Sequence, residues 1–61
     1  MMNLEKLMEL DECIVTVEQL EEIEMMEEVT EVENNGGSGQ HYGKTWYSVK
    51  LQDGEEIQVY C

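Results

Sequence analysis

The sequence predicts a small α+β protein in which two helices pack on a small antiparallel β-sheet with an acidic edge strand and a C-terminal β-hairpin. Three observations predict this fold class. Two acidic segments carry apolar residues at helical spacing, a short β-branched run separates them, and apolar and polar residues alternate in the last third of the chain. Because the chain has 61 residues, we expect a single domain spanning residues 1–61.

The first predicted element is a helix over residues 4–12. Asn3 is a favourable N-cap residue, because its side chain can accept a hydrogen bond from the first helical turn. Leu4, Leu7 and Met8 follow at the i, i+3, i+4 spacing that places side chains on one face of a helix.

A short strand and a second helix are predicted next. The β-branched run over residues 13–17 favours a strand. Thr16 and Gln19 have the spacing of a capping box, which predicts the start of a helix. The apolar stripe of this helix consists of Val17, Leu20, Ile23 and Met26. By periodicity alone, such a stripe is ordinary helix-to-sheet core.

The region between the second helix and Trp46 is less regular. The Thr and Val residues within residues 28–33 favour a strand. Residues 34–39 are rich in Asn and Gly, which predicts a turn or mobile loop. This stretch lacks the Lys and the strand-to-helix context of a phosphate-binding loop, so we interpret it as a linker.

The last third predicts a β-hairpin with a loop over residues 52–54 and Gly54 in the left-handed conformation. A two-residue loop would place apolar and charged partners on the same face, and the three-residue loop avoids this. The predicted cross-strand pairs are Val49 with Ile57, Tyr47 with Val59, Lys50 with Glu56, and Trp46 with Tyr60. Trp46 and Tyr60 lie on the opposite face from the apolar pairs, and we expect a helix or loop to cover them.

The net charge of -12, from 15 acidic and three basic residues, restricts the partners of the chain. Twelve of the acidic residues lie within residues 1–33. Nucleic acid and anionic membranes repel such a chain, so neither is expected as a direct ligand, and a basic protein partner is expected instead. The sequence contains no pattern of a membrane-spanning segment or a signal peptide, which predicts a cytoplasmic location.

No constellation of residues predicts catalysis, a cofactor or a metal site. His41 has no nucleophile near it in sequence, and close pairs of carboxylates are unavoidable in a chain with 15 acidic residues. Cys13 and Cys61 lack metal-ligand spacing and are expected to be reduced thiols. We therefore expect no catalytic residue, no cofactor and no metal.

Three functions other than catalysis are compatible with this composition. The acidic surface can imitate the phosphates of DNA and occupy the basic groove of a DNA-binding protein. The chain can instead be a precursor peptide with an acidic leader and a cleavage signal at the Gly36-Gly37 pair, although the predicted hairpin argues against this. Thirdly, the charges can be the solvated faces of a small acidic domain. Composition alone does not separate the first function from the third.

Two blocks of the chain carry a resemblance to a known family. Residues 12–23 read E-C-I-V-T-V-E-Q-L-E-E-I, and residues 46–55 read W-Y-S-V-K-L-Q-D-G-E. With one deletion, the first block resembles the run Q-E-S-I-L-M-L-P-E-E-V-E-E-V of the phage uracil-DNA glycosylase inhibitors, with identity at Glu12, Ile14, Glu21 and Glu22. The second block is similar to W-A-L-V-I-Q-D-S-N-G-E of that family. The chain is shorter than the family's members, and at least one central strand is expected to be missing or trimmed.

The resemblance implies a DNA mimic that inhibits uracil-DNA glycosylase, an enzyme of base excision repair, in the cytoplasm of an infected host cell. The first strand would enter the DNA-binding groove of the enzyme, with Glu12 as the principal phosphate mimic. The residues implied for this contact are Asp11, Glu12, Cys13 and Ile14. Cys13 stands where the family has a hydroxyl residue, and a thiol is a weaker hydrogen-bond donor.

The resemblance also implies an apolar cleft on the second helix that grips the leucine which the enzyme inserts into DNA. The implied cleft residues are Val17, Leu20, Ile23 and Met26. The implied acidic rim, which would steer association, consists of Glu18, Gln19, Glu21 and Glu22. The alternative interpretation is a mimic directed against another DNA-binding protein, of the anti-restriction or anti-CRISPR type.

Overall fold

The computed structural model describes residues 2–61, which form two helices and four strands. In chain order they are α1 (Leu4–Glu9), β1 (Cys13–Ile14), α2 (Val17–Glu24), β2 (Val29–Gly37), β3 (Thr45–Leu51) and β4 (Glu56–Tyr60). The strands form one mixed sheet in the order β1-β4-β3-β2. The predicted α+β class is confirmed.

Helix α1 begins as predicted and ends early. The side chain of Asn3 accepts a hydrogen bond from the backbone N–H of Lys6 at 2.8 Å, as an N-cap does. The predicted extension over residues 10–12 is wrong, because Leu10 closes the last turn with an N–H bond to the carbonyl of Leu7 at 3.0 Å. Glu12 then adopts a left-handed φ of 63°, which ends any helical path.

The capping box at the start of α2 is confirmed. The Thr16 hydroxyl accepts from the Gln19 N–H at 3.1 Å, and the Gln19 side chain accepts from the Thr16 N–H at 2.9 Å. The predicted strand over residues 13–17 is therefore too long, since the cap at Thr16 ends it. Strand β1 contains only Cys13 and Ile14.

The prediction of an entirely antiparallel sheet is wrong at β1, which runs parallel to β4. The reason is the connection through α2, which returns the chain to the end of the sheet from which β1 started, so that β1 and β2 point the same way. Two reversals, from β2 to β3 and from β3 to β4, then make β4 parallel to β1.

The C-terminal hairpin is confirmed in register and in loop length. All four predicted cross-strand pairs are present between β3 and β4. The Leu51 N–H donates to the Glu55 carbonyl at 2.8 Å, which closes a loop over residues 52–54. Gly54 has a φ of 91°, a conformation that costs a glycine little because it lacks a Cβ atom.

Strand β2 is longer than predicted. Residues 28–33 were expected to form the strand, yet it extends to Gly37, and Asn34 and Gly37 pair with Tyr47 and Thr45 of β3. The loop prediction is wrong for residues 34–37, because pairing to the neighbouring strand outweighs their weak intrinsic preference for extended structure. The Gly36-Gly37 pair thus belongs to the sheet.

One face of the sheet carries the core. From the helices, Leu7, Leu20 and Ile23 are buried against Val49, Ile57 and Val59 of the sheet, with Val15 and Leu51 completing the cluster. Both helices therefore cover the same face, and on the other face Asn35 contacts Ser48 while Gln40 and His41 contact Tyr60. This arrangement matches the apolar alternation in β3 and β4.

The face of the sheet opposite the helices carries Trp46, Ser48, Gln58 and Tyr60. The expectation that a loop covers the aromatic pair is confirmed for Tyr60, which is buried with the His41 ring 4.3 Å from its own. It is wrong for Trp46, whose residue surface is 38% exposed. The Trp46 indole N–H instead donates to the Gln58 side chain, which also accepts from the Ser48 hydroxyl.

Because α2 packs on the sheet, we expect the substitution of isoleucine by valine to lower the free energy of unfolding more at Ile23 than at Ile14. Ile23 is fully buried and Ile14 is 51% exposed. We expect Ile23→Val to lower the free energy of unfolding by about 0.5–1.5 kcal/mol and Ile14→Val to change it by less than about 0.5 kcal/mol. Urea unfolding measures both. Equal values would contradict the packing of α2 on the sheet.

Candidate partner-binding surface

The acidic edge, residues 11–14, is attached along β4, and its first two residues both bind Gln58. The Asp11 carboxylate accepts from the Gln58 N–H at 3.0 Å, and the Glu12 N–H donates to the Gln58 carbonyl at 2.6 Å. Cys13 and Ile14 continue the pairing opposite Val59 and Tyr60. The sequence predicted an acidic edge strand, and the described residues place it at one edge of the sheet.

Glu12 is held in an unusual conformation with a free side chain. Its φ of 63° lies in the left-handed region that favours glycine. Within residues 2–61, Glu12 is the only non-glycine residue with a positive φ. Its backbone is fixed by the bond to Gln58, while its carboxylate is exposed and makes no hydrogen bond or ion pair to the described residues. The carboxylate therefore projects from a constrained backbone into solvent.

The other three residues of the acidic edge differ in how free their side chains are to contact a partner. Asp11 is exposed but engages one carboxylate oxygen with Gln58. Cys13 is an exposed free thiol whose Sγ lies 3.7 Å from the carbonyl oxygen of Glu9, within reach of a weak S–H bond. Ile14 is exposed on the face of the sheet that carries Tyr60. Ile14 is thus an apolar side chain directly beside the charged end of the edge.

The four residues predicted to line an apolar cleft do not form an open cleft. Leu20 and Ile23 are buried in the core beneath α2, because the helix packs closely on the sheet, and this part of the prediction is corrected. Val17, at the first position of α2, is 64% exposed. Met26 is half-buried after the end of α2, where it packs against the core.

The four residues of the predicted acidic rim have two different roles in the structure: three carry exposed charges, and one caps α2. Glu18, Glu21 and Glu22 are exposed on α2. Gln19 is half-buried, and its side chain is used by the capping box. Three members of the rim are therefore free to face a partner, and Gln19 serves the helix.

All 15 carboxylates are exposed, and few are neutralised by bases within residues 2–61. Lys50 lies 3.2 Å from Glu33 and 3.9 Å from Glu31. The hydrogen bond to Glu33 and the charges of Glu33 and Glu31 raise the pKa of Lys50. These ion pairs lie on β2 and β3, so the carboxylates of the helices and of the acidic edge keep their charge uncompensated.

A groove that the sequence does not predict lies between the start of α1 and the end of α2, although two of its lining residues, Glu22 and Met26, are predicted site residues. Its cavity volume is about 610 Å³, and three methionines line it, namely Met2, Met25 and Met26. Glutamates at its margin are Glu22, Glu27 and Glu28. The adjacent pair Met25-Met26 at the end of an amphipathic pattern is the signal that could have indicated this groove, since only one of two neighbouring helical residues can face the core.

No family model, no curated protein and no solved structure matches this chain. Within residues 2–61, His, Cys, Asp and Glu side chains nowhere gather in a group of three or more suited to a metal ion. In the same part of the chain, neither helix has the length and apolar character needed to cross a bilayer.

The attachment of the acidic edge predicts a difference between two variants of Asp11. Asp11→Asn keeps the acceptor oxygen for the Gln58 N–H, whereas Asp11→Ala removes it, and both remove the same negative charge. We therefore expect Asp11→Asn to exceed Asp11→Ala in free energy of unfolding by about 1 kcal/mol. Urea unfolding at one pH and ionic strength measures the difference. Equal stabilities would show that Asp11 does not hold the edge.

Proposed function

We propose that this protein is a DNA mimic that inhibits a uracil-DNA glycosylase by occupying its DNA-binding groove. The choice of target comes from the resemblance of residues 12–23 and 46–55 to the inhibitors of that enzyme. The mode of action is supported by the acidic edge, whose residues stand at the rim of the sheet with their side chains accessible.

The observation that carries the proposal is the conformation of Glu12. A left-handed backbone costs a residue with a Cβ atom about 1 kcal/mol, and glycine would avoid this cost. The position nevertheless holds a glutamate whose carboxylate makes no hydrogen bond or ion pair with the described residues. Strained residues of this kind concentrate at functional sites. A role in holding a partner explains why a charged side chain occupies this position.

Charge distribution supports an approach to a basic groove. Within residues 2–61 the exposed carboxylates of α1, α2 and the acidic edge are not paired with bases, so their field extends into solvent. Such a field raises the rate of association with a positively charged surface and weakens as salt is added. In this proposal, the glutamates of α2 steer the encounter, and Glu12 makes the close contact in place of a DNA phosphate.

Apolar contact in the proposed complex comes from the last residue of the acidic edge and the first residue of α2. Val15 is buried, while Ile14 before it and Val17 after it are exposed. Leu20 and Ile23, which were predicted to line the cleft, are buried in the core. In this proposal, Ile14 and Val17 make the apolar contact in their place. An apolar group of the enzyme can therefore be covered without opening the core.

Inhibition of uracil excision is the direct test of the target. We expect a near-stoichiometric amount of this protein to abolish uracil release from DNA by a family-one uracil-DNA glycosylase, because the groove cannot hold DNA and inhibitor together. A fluorescent excision assay measures this, with a DNA glycosylase specific for another base as the control enzyme. Undiminished excision at large excess, with bacterial and viral enzymes, would reject the target and direct the search to other DNA-binding proteins.

Variants of Glu12 test the mode of action. Glu12→Gln removes the charge and should weaken binding by about 2–5 kcal/mol through faster dissociation. Glu12→Gly should weaken binding similarly and raise the free energy of unfolding by about 1 kcal/mol, because it relieves the left-handed strain. Glu24→Gln, an exposed change on α2, is the matched control and should alter only the association rate.

Surface-binding kinetics and urea unfolding on the same preparations supply both readouts. An increase in the free energy of unfolding together with weaker binding, as expected for Glu12→Gly, is specific to a strained residue that contacts the partner. Equal small effects of Glu12→Gln and Glu24→Gln on dissociation would refute the role of the acidic edge.

A further inference from the structure

The methionine groove is a second surface suited to a partner. It lies between the residues that precede α1 and the turn that follows α2, and its volume of about 610 Å³ falls within the range of ligand sites. It does not include any residue of the acidic edge. The groove is therefore separate from the acidic edge, and it shares only Glu22 with the acidic rim of α2.

The walls of the groove are fixed before any partner arrives. On one side, Gln52 of the hairpin loop donates from its side chain to the Glu27 carbonyl at 2.7 Å and from its backbone to the Glu28 carbonyl at 2.9 Å. On the other side, Asn3 is held as the N-cap of α1. A preformed groove loses little conformational freedom when it is filled, which favours binding.

The floor of the groove is apolar, and although Met2 and Met26 pack in part against the core, much of its surface stays exposed. Met25 is 84% exposed, although burial of such a side chain is favourable, and Met2 and Met26 are only half-buried. Methionine side chains are flexible and polarisable, so a surface built from them adapts to different apolar partners. Exposure of this kind is typical of an interaction site rather than of a core.

Charge at the margin selects the occupant. Glu22, Glu27 and Glu28 are exposed along the groove, and the described residues provide no base that pairs with them. A second copy of this chain, with its net charge of -12, would bring like charges together. A cationic segment satisfies both features, because its apolar side chains fill the groove while its Lys or Arg residues meet the glutamates.

We propose that the methionine groove binds a basic amphipathic helix of a protein partner. The helix places its apolar stripe, at i, i+3 and i+4 spacing, on Met25 and Met26, and its positive charges on the flanking glutamates. This inference goes beyond the inhibition of a glycosylase and does not depend on it. It gives the protein a means of engaging a second partner, or a second site of the same partner, without releasing the acidic edge.

The test uses the full chain and a synthetic amphipathic helix of leucine and lysine as the probe. Methionine-methyl NMR reads the binding site directly, because Met8 on α1 lies outside the groove and serves as an internal control. We expect the probe to shift the methyl signals of Met2, Met25 and Met26 and to leave that of Met8 unchanged. A probe of the same pattern with glutamine in place of lysine should bind at least about tenfold more weakly, since it lacks the charges.

Matched variants separate groove binding from general attraction to an acidic protein. Met25→Ser should weaken binding of the leucine–lysine probe about tenfold, through loss of apolar contact, and Met8→Ser should not change it. Glu28→Gln should weaken binding about threefold, and Glu55→Gln, which removes an equal charge at the hairpin loop, should have less effect. Thermal melts establish that each variant is folded.

Three results would overturn the proposal. The first is an equal shift of the Met8 and Met25 signals, with equal affinities for the two serine variants, which would mean diffuse charge attraction. The second is equal binding of the lysine and glutamine probes. The third is a Met25 signal that moves with protein concentration together with dimer formation in sedimentation, which would assign the groove to a second copy.

Discussion

The hydrogen bonds of Gln58 join the two halves of this protein. Its backbone N–H and carbonyl bind Asp11 and Glu12, and its side chain accepts from Trp46 and Ser48 on the neighbouring strand. The segment before β2 contributes both helices but only a two-residue strand to the sheet. The pairing of β1 with Val59 and Tyr60, and the bond from the Val15 N–H to the Tyr60 carbonyl at 2.7 Å, continue this attachment along β4. The position and direction of the acidic edge, on which the proposed inhibition depends, follow from this attachment.

A small core and a large surface charge act against each other in this fold. The core consists of eight buried residues between the helices and one sheet face, which is a modest apolar contribution for any domain. The exposed carboxylates repel one another and lower the stability of the compact state. A sequence under selection for stability alone would carry more bases near these acids. Retention of the repulsion, together with the strain at Glu12, is consistent with a surface selected for binding.

The sequence was most informative where structure is local. The hairpin register and the capping box follow from turn chemistry and alternation within a few residues, so both could be predicted. The parallel placement of β1 and the extension of β2 through Asn34 and Gly37 depend on contacts between distant segments, which no local pattern encodes. The candidate site divides in the same way. The acidic edge is visible as a run of residues, and the periodicity of α2 agrees with the burial of Leu20, whereas the shape of the groove at Met25 depends on how α1 and α2 pack.

The two edges of the sheet have opposite characters. Strand β1 is two residues long, and the turn before it carries free charge, whereas β2 is nine residues long and offers a full strand length to any neighbour. Long edges invite pairing between molecules. On β2 this is opposed by irregular register between Val29 and Glu31 and between Asn34 and Gly37, and by the carboxylates of Glu31 and Glu33. Lys50 anchors these carboxylates in place while leaving net negative charge on the edge. At the high local concentrations of newly synthesised chains, these features oppose edge-to-edge aggregation through β2, while the residues of the short edge stay accessible.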